Sequence, residues 1–317
     1  MTRPTPEARS QSETASPDRE PEAQTRRRTD SAWVDPLTWV ELFAWANLAF
    51  LAVDVLLAHA VNEFAHPAEW LPIQFSVVGS IVLAVAMVLG GVRPAVSAGP
   101  EVSRRRRMAR SAGLLVGWGA ILVGVAGLLF HLGSQFFELR TLKSLVYSAP
   151  VVAPLAYTGL GLLLILNRTI PARDPEWARW VLVLALGGCL GNFLLSLLDH
   201  AQNGFWYPTE WIGVVGAALA VGGLLGVLID PAERAARRFA WCALVVQMVV
   251  GLLGFWLHTQ ANLHAPSASL RDRFLYGAPV FAPLLFNDMA ILGGLGLWGL
   301  GRAEGGLGGW PSPPAEE

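Results

Sequence analysis

All six histidines of this 317-residue chain fall near the ends of long apolar runs. Four of them, His59, His131, His200 and His258, close the odd-numbered runs. Imidazole suits copper, zinc and iron, and two imidazoles on opposite sides of an iron hold a haem. Glu69 and Glu210 stand a short way beyond His59 and His200 and are candidate carboxylate ligands of the same metal. A plainer reading accompanies each. A histidine in the last turn of a helix meets the negative end of the helix dipole. Pro67 and Pro208 stand two residues before the glutamates, which puts each acid at about the third helical position, where it caps free N–H groups.

Asn62 and Asn203 follow the first histidine of each pair by one turn. They are read as helix ends, since Asn tolerates left-handed backbone, or as residues that orient a cofactor. Asp54 and Asp288 lie inside apolar runs, where a carboxylate is costly and by default functional. Asp54, five residues before His59, is placed to fix a histidine tautomer. Asp288 is read as a proton relay or as a partner of Gln247. Both are counted with the cofactor-binding candidates.

The candidates recur. His59-Ala-Val-Asn62-Glu-Phe64-Ala-His66-Pro67-Ala-Glu69-Trp70 aligns without a gap on His200-Ala-Gln-Asn203-Gly-Phe205-Trp-Tyr207-Pro208-Thr-Glu210-Trp211, with seven identities at an offset of 141. Gly124, Gly127 and His131 match Gly251, Gly254 and His258 at an offset of 127. Tyr147-Ser-Ala-Pro150-Val-Val-Ala-Pro154-Leu matches Tyr276-Gly-Ala-Pro279-Val-Phe-Ala-Pro283-Leu at an offset of 129. Asp288 aligns with Gly159, so its role is not duplicated. Three blocks in the same order predict a tandem repeat, and repeats decide an architecture before anything else does.

The elements that carry these residues are apolar and long. Hydrophobic residues are 53% of the chain, charged residues 15%, and the mean hydropathy is +0.45. A soluble domain has about 25% charged residues, so the composition excludes a nucleic-acid binder and an ordinary cytosolic enzyme. Two cysteines are too few for a disulfide scaffold. A helix crosses about 30 Å of hydrocarbon with about 20 residues. Eight runs meet that length, at about 37–60, 69–92, 112–133, 146–167, 177–200, 209–229, 237–258 and 276–301. They do not alternate as the strands of a membrane barrel would. The second Pro of each Tyr-x-Ala-Pro-x-x-Ala-Pro block is expected to kink span 4 or span 8.

Nineteen of the 23 Lys and Arg residues fall on one side if the N-terminus is cytoplasmic. That is a positive-inside pattern, with both termini inside. Residues 1–32 and 303–317 are expected to be tails, the first disordered because it holds too little apolar surface to offset its chain entropy. The expected architecture is therefore an all-α polytopic membrane protein. Its eight helices form a parallel 4+4 repeat, residues 33–170 and 171–302, about a pseudo-twofold axis along the membrane normal. The expected function is that of a bacterial inner-membrane protein whose outward His/Glu site binds a transition metal or haem, for electron transfer or metal handling. The alternatives are a transporter or channel with its path between the halves, and a non-catalytic subunit or assembly factor of a larger membrane complex. The expected partners are the lipid bilayer and other membrane-complex subunits, not nucleic acid.

Overall fold

The computed structural model describes residues 35–61, 63–90, 104–134, 141, 150–267 and 269–306. Asn62, the two tails beyond those limits and the first part of the expected span 4 lie outside them. The described residues are helical, with no strand among them. The helices are α1 (Pro36–Ala60), α2 (Trp70–Gly90), α3 (Arg104–Ser134), α4 (Leu155–Thr169), α5 (Pro175–Gln202), α6 (Trp211–Ile229), α7 (Arg234–Leu263), the short α8 (Leu270–Leu275) and α9 (Leu284–Gly306). Single 3₁₀ turns, Pro67–Glu69 and Pro208–Glu210, lead into α2 and α6. Among the described residues all the long helices except α4 are long and apolar enough to cross a bilayer, which makes seven where eight are expected. The molecule is a helical membrane protein.

Local chemistry sets the helix starts. Asp35 accepts the Leu37 N–H at 3.2 Å ahead of Pro36, and Asp174 accepts the Glu176 N–H at 2.9 Å ahead of Pro175. An acidic cap followed by proline in the first turn satisfies one orphan donor and removes another. The double-proline blocks act differently from expectation. They do not open helices that then kink. Residues 150–154 and 279–283 are turns, and regular helix begins only after the second proline, at Leu155 and Leu284. This is why α4 has 15 residues. The physical reason is that Pro154 and Pro283 lack the N–H that would close a helical turn onto Pro150 and Pro279.

The helices close two rings. In one, α1 packs on α2 and α4, and α3 fills the gap between those two. In the other, α5 packs on α6 and α9, with α7 between them. The rings join where α4 meets α5 and where α9 meets α1. The join is tightest at the end where α1 and α5 begin, the arginine end. The core there includes Val40, Leu48, Leu164, Trp177, Leu182, Leu224 and Leu300. The last buried residue of α1 is Leu51, and that of α5 is Asn192. Past them, toward the end that carries the histidine pairs, these two helices have no fully buried residue, and side chains such as Val55 and Phe193 are only partly buried.

A polar cluster ties the arginine end. The Arg168 guanidinium, at the end of α4, makes a two-pronged ion pair with Glu41 of α1, and both side chains are buried. Asn167 donates to the Leu37 carbonyl and to Glu41, and accepts from the Trp177 indole at 3.2 Å. The Arg110 side chain of α3 donates to the Arg168 carbonyl. Removing either member of such a pair leaves a buried charge without compensation.

Candidate functional site

At the opposite end the histidines stand in two pairs. The ring centroids of His59 and His131 are 6.4 Å apart, with the planes at 65°. Those of His200 and His258 are 6.5 Å apart, at 88°. Each pair joins the end of one helix, α1 or α5, to a histidine on another, α3 or α7. The structure thus brings the four residues together two by two.

The hydrogen bonds fix how the rings face. His131 Nδ1 donates to the Pro150 carbonyl at 2.9 Å, and His258 Nδ1 donates to the Pro279 carbonyl at 2.8 Å. These are the carbonyls that Pro154 and Pro283, four residues on, cannot reach with an N–H. Both segments pass close to the histidine helix because glycine lets them. A Cβ on Gly127 would lie 2.9 Å from Pro154 Cβ, and one on Gly254 would lie 2.7 Å from Pro283 Cβ. His59 Nδ1 donates to Val55, its own i−4 carbonyl, at 3.0 Å. In these three rings Nδ1 carries the proton that the carbonyl accepts. His59, His131 and His200 lie in the last turns of their helices, as the dipole reading expects, whereas His258 stands five residues before the end of α7; His131 and His258 in addition serve a carbonyl of another segment. His66 differs from all four, since its Nδ1 accepts the Ala68 N–H at 3.1 Å. His264 is exposed and donates to its own i−4 carbonyl, that of Gln260, at 2.8 Å.

Each glutamate does two things. Glu69 Oε1 accepts the His66 N–H at 3.2 Å, and Glu210 Oε1 accepts the Tyr207 N–H at 3.3 Å, so both cap their turns. The second oxygen of each is buried and without a hydrogen bond. Glu210 Oε2 lies 3.5 Å from His200 Nδ1, within ion-pair reach but outside hydrogen-bond alignment. Aromatic stacks lie alongside. Phe64 stacks on Trp70 at 4.2 Å and faces His59, while Phe205 stacks on Trp211 at 4.0 Å and faces His200. The stacking depends on left-handed backbone at Phe64 and Phe205, both at φ 54°. Asn203 caps α5 with φ −91°. The left-handed conformation expected of the asparagine belongs instead to Gly204 and Phe205 after it.

Asp54 and Asp288 are elsewhere. They lie below the first pair, where α1 and α9 meet, and act on each other electrostatically. Asp288 hydrogen-bonds Asn47, not Gln247. Gln247 is fully buried with both amide atoms unpartnered. Asp54 does not orient His59, whose Nδ1 is taken by Val55.

Among the described residues, no group of three or more His, Cys, Asp or Glu side chains is placed to hold a metal ion. The two-ligand geometry suits a group that brings most of its own ligands, as a porphyrin does. Two metal–imidazole bonds of about 2.0 Å each, plus roughly half a ring at both ends, span about 6 Å between ring centres. Both pairs match that span. Comparisons with family models, with curated proteins and with solved structures found no match to this chain.

Proposed function

We propose that this is an electron-transfer protein of the bacterial inner membrane that holds haem iron between paired histidines, His59 with His131 and His200 with His258. The observation that carries the reading is the repeated pair itself, with near-equal centroid separations of 6.4 and 6.5 Å. Backbone carbonyls hold Nδ1 of His59, His131 and His258, and Glu210 lies beside Nδ1 of His200. Haem would supply one-electron redox chemistry; the chain binds, orients and shields it. Glu69 and Glu210 set the charge beside each pair, and Phe64 and Phe205 cover one side.

The reading includes a tandem four-plus-four repeat with α4 as a shortened member, divided near residue 170. The two closed rings support it, as do the matching His–Pro, Gly–Pro, Phe–Trp and Glu–turn contacts on both sides. It also places both termini in the cytoplasm, on the charge distribution, so that the histidine end faces outward.

The test is purification from haem-replete cells, followed by an absorption spectrum and a pyridine haemochrome assay. Two haems per chain are expected, falling to one in His131→Ala and in His258→Ala. Colourless protein that is folded and helical would end this reading.

A further inference from the structure

We propose that the cavity between the two rings is a binding site for a lipophilic organic cation, an ammonium or phosphonium carrying apolar arms. The cavity has a volume of about 1630 Å³ and is bordered by α1, α2, α3, α4, α5 and α9. It follows from the fold: past Leu51 and Asn192 α1 and α5 have no fully buried residue, and the unwound 150–154 segment shortens α4. Small-molecule pockets run to about 1,000 Å³, so a bulky ligand fits.

Charge decides which ligand. Asp54, Asp288 and Glu69 line the cavity, and no Lys or Arg does so among the described residues. Among the described residues neither aspartate has an ion-pair partner. Two carboxylates facing each other in an apolar setting at membrane depth are costly, and a positive charge between them removes the cost. Asn47 steadies Asp288 by a hydrogen bond. Phe43, Phe50, Phe75 and Phe130 also line the walls, and aromatic faces attract cations. His59, His66 and His131 also line the cavity at its outer end, but the acids Asp54 and Asp288 lie deeper, where an anion would meet like charge and a neutral apolar molecule would leave both acids unanswered. Access is lateral. Leu71, Val78, Leu122, Leu129 and Leu190 line the cavity and are exposed at the helix surface, so a ligand dissolved in the bilayer enters between the helices. The His59–His131 pair borders the same cavity, so the test is made on Asp54 and Asp288, which lie outside the proposed iron-holding pairs.

The experiment uses the full chain in phosphatidylcholine nanodiscs, with tetraphenylphosphonium and tetraphenylborate as probes of the same shape and opposite charge. Saturable binding of the phosphonium, with none of the borate, is expected from the wild-type protein. Asp54→Asn with Asp288→Asn should weaken phosphonium binding on the order of tenfold or more. Equal binding of both probes, no saturable phosphonium binding, or unchanged affinity in a folded double variant would each overturn the proposal. If the double variant fails to fold, the comparison of the two probes on the wild-type chain still decides.

Discussion

Around His59 and His131 the chain leaves room, whereas around His200 and His258 it ties the parts down. The first pair borders the inter-ring cavity together with Glu69 and His66, and neither His200 nor His258 does. On the second side Glu210 reaches His200 at 3.5 Å. The segment that carries Pro279 is pinned by the buried Asn262, which donates to the Ala278 carbonyl at 2.9 Å and accepts its N–H at 2.7 Å. His66 of the first side has Tyr207 as its counterpart, and only His66 caps its turn with a ring nitrogen. Two sites with the same imidazole geometry therefore differ in access and in local charge. A duplicated site can diverge without moving its ligands, because what surrounds a ligand sets its basicity and exposure.

The largest expected effect removes one site and keeps the other. His131→Ala should abolish haem at the first site and leave one haem per chain, and His258→Ala should do the converse. Stoichiometry by pyridine haemochrome reads both. Loss of both haems in either variant would mean a single shared site and would erase the comparison. Access should also separate the sites: in wild-type protein, an added small ligand such as cyanide is expected to perturb the spectrum that remains in His258→Ala faster than the one that remains in His131→Ala.

A smaller effect belongs to the carboxylates. Glu210→Gln keeps the cap on Tyr207 and removes the charge beside His200, so haem retention at the second site should fall about tenfold, the lower end of what removing a ligand's supporting group costs. Glu69→Gln removes a carboxylate that acts on His131 through space, and its effect on the first site should be smaller, within about twofold. Haem-transfer kinetics to an apo-globin acceptor would measure both. Equal losses would show that the two glutamates play one role.

Much of this was legible in the residues. The apolar runs announce helices because an isolated backbone in lipid must satisfy itself, and the His59 and His200 blocks align without a gap. The capping glutamates follow from proline spacing. What the sequence conceals is pairing across helices. His59 meets His131 over 72 positions, and nothing local specifies that contact. The Glu41–Arg168 pair was missed for the same reason. Arg168 reads as one more basic loop residue until the fold brings α1 beside it, and a glutamate five residues into an apolar helix was the available clue. The double prolines predict kinks; their consequence is a carbonyl, at Pro150 and at Pro279, that takes only the turn N–H of Ala153 or Ala282 and has room for the histidine opposite.

That carbonyl gives the most specific prediction. Pro283→Ala supplies an N–H four residues after Pro279, so the Pro279 carbonyl gains a competing helical donor and His258 Nδ1 loses part of its hold. The expected cost at the second site is that of weakening one hydrogen bond, about 0.5–1.5 kcal/mol, or several-fold in haem retention. Pro154→Ala should act likewise on His131 and Pro150. Here the two sides are expected to part again. Asn262 holds Ala278 from both sides and resists rewinding of the 279–283 turn, so Pro283→Ala should cost less than Pro154→Ala. Both variants should gain helical signal in far-ultraviolet circular dichroism as the outer turns of α4 and α9 extend. A larger loss in Pro283→Ala than in Pro154→Ala would mean that the Asn262 tether does not hold the second site in place.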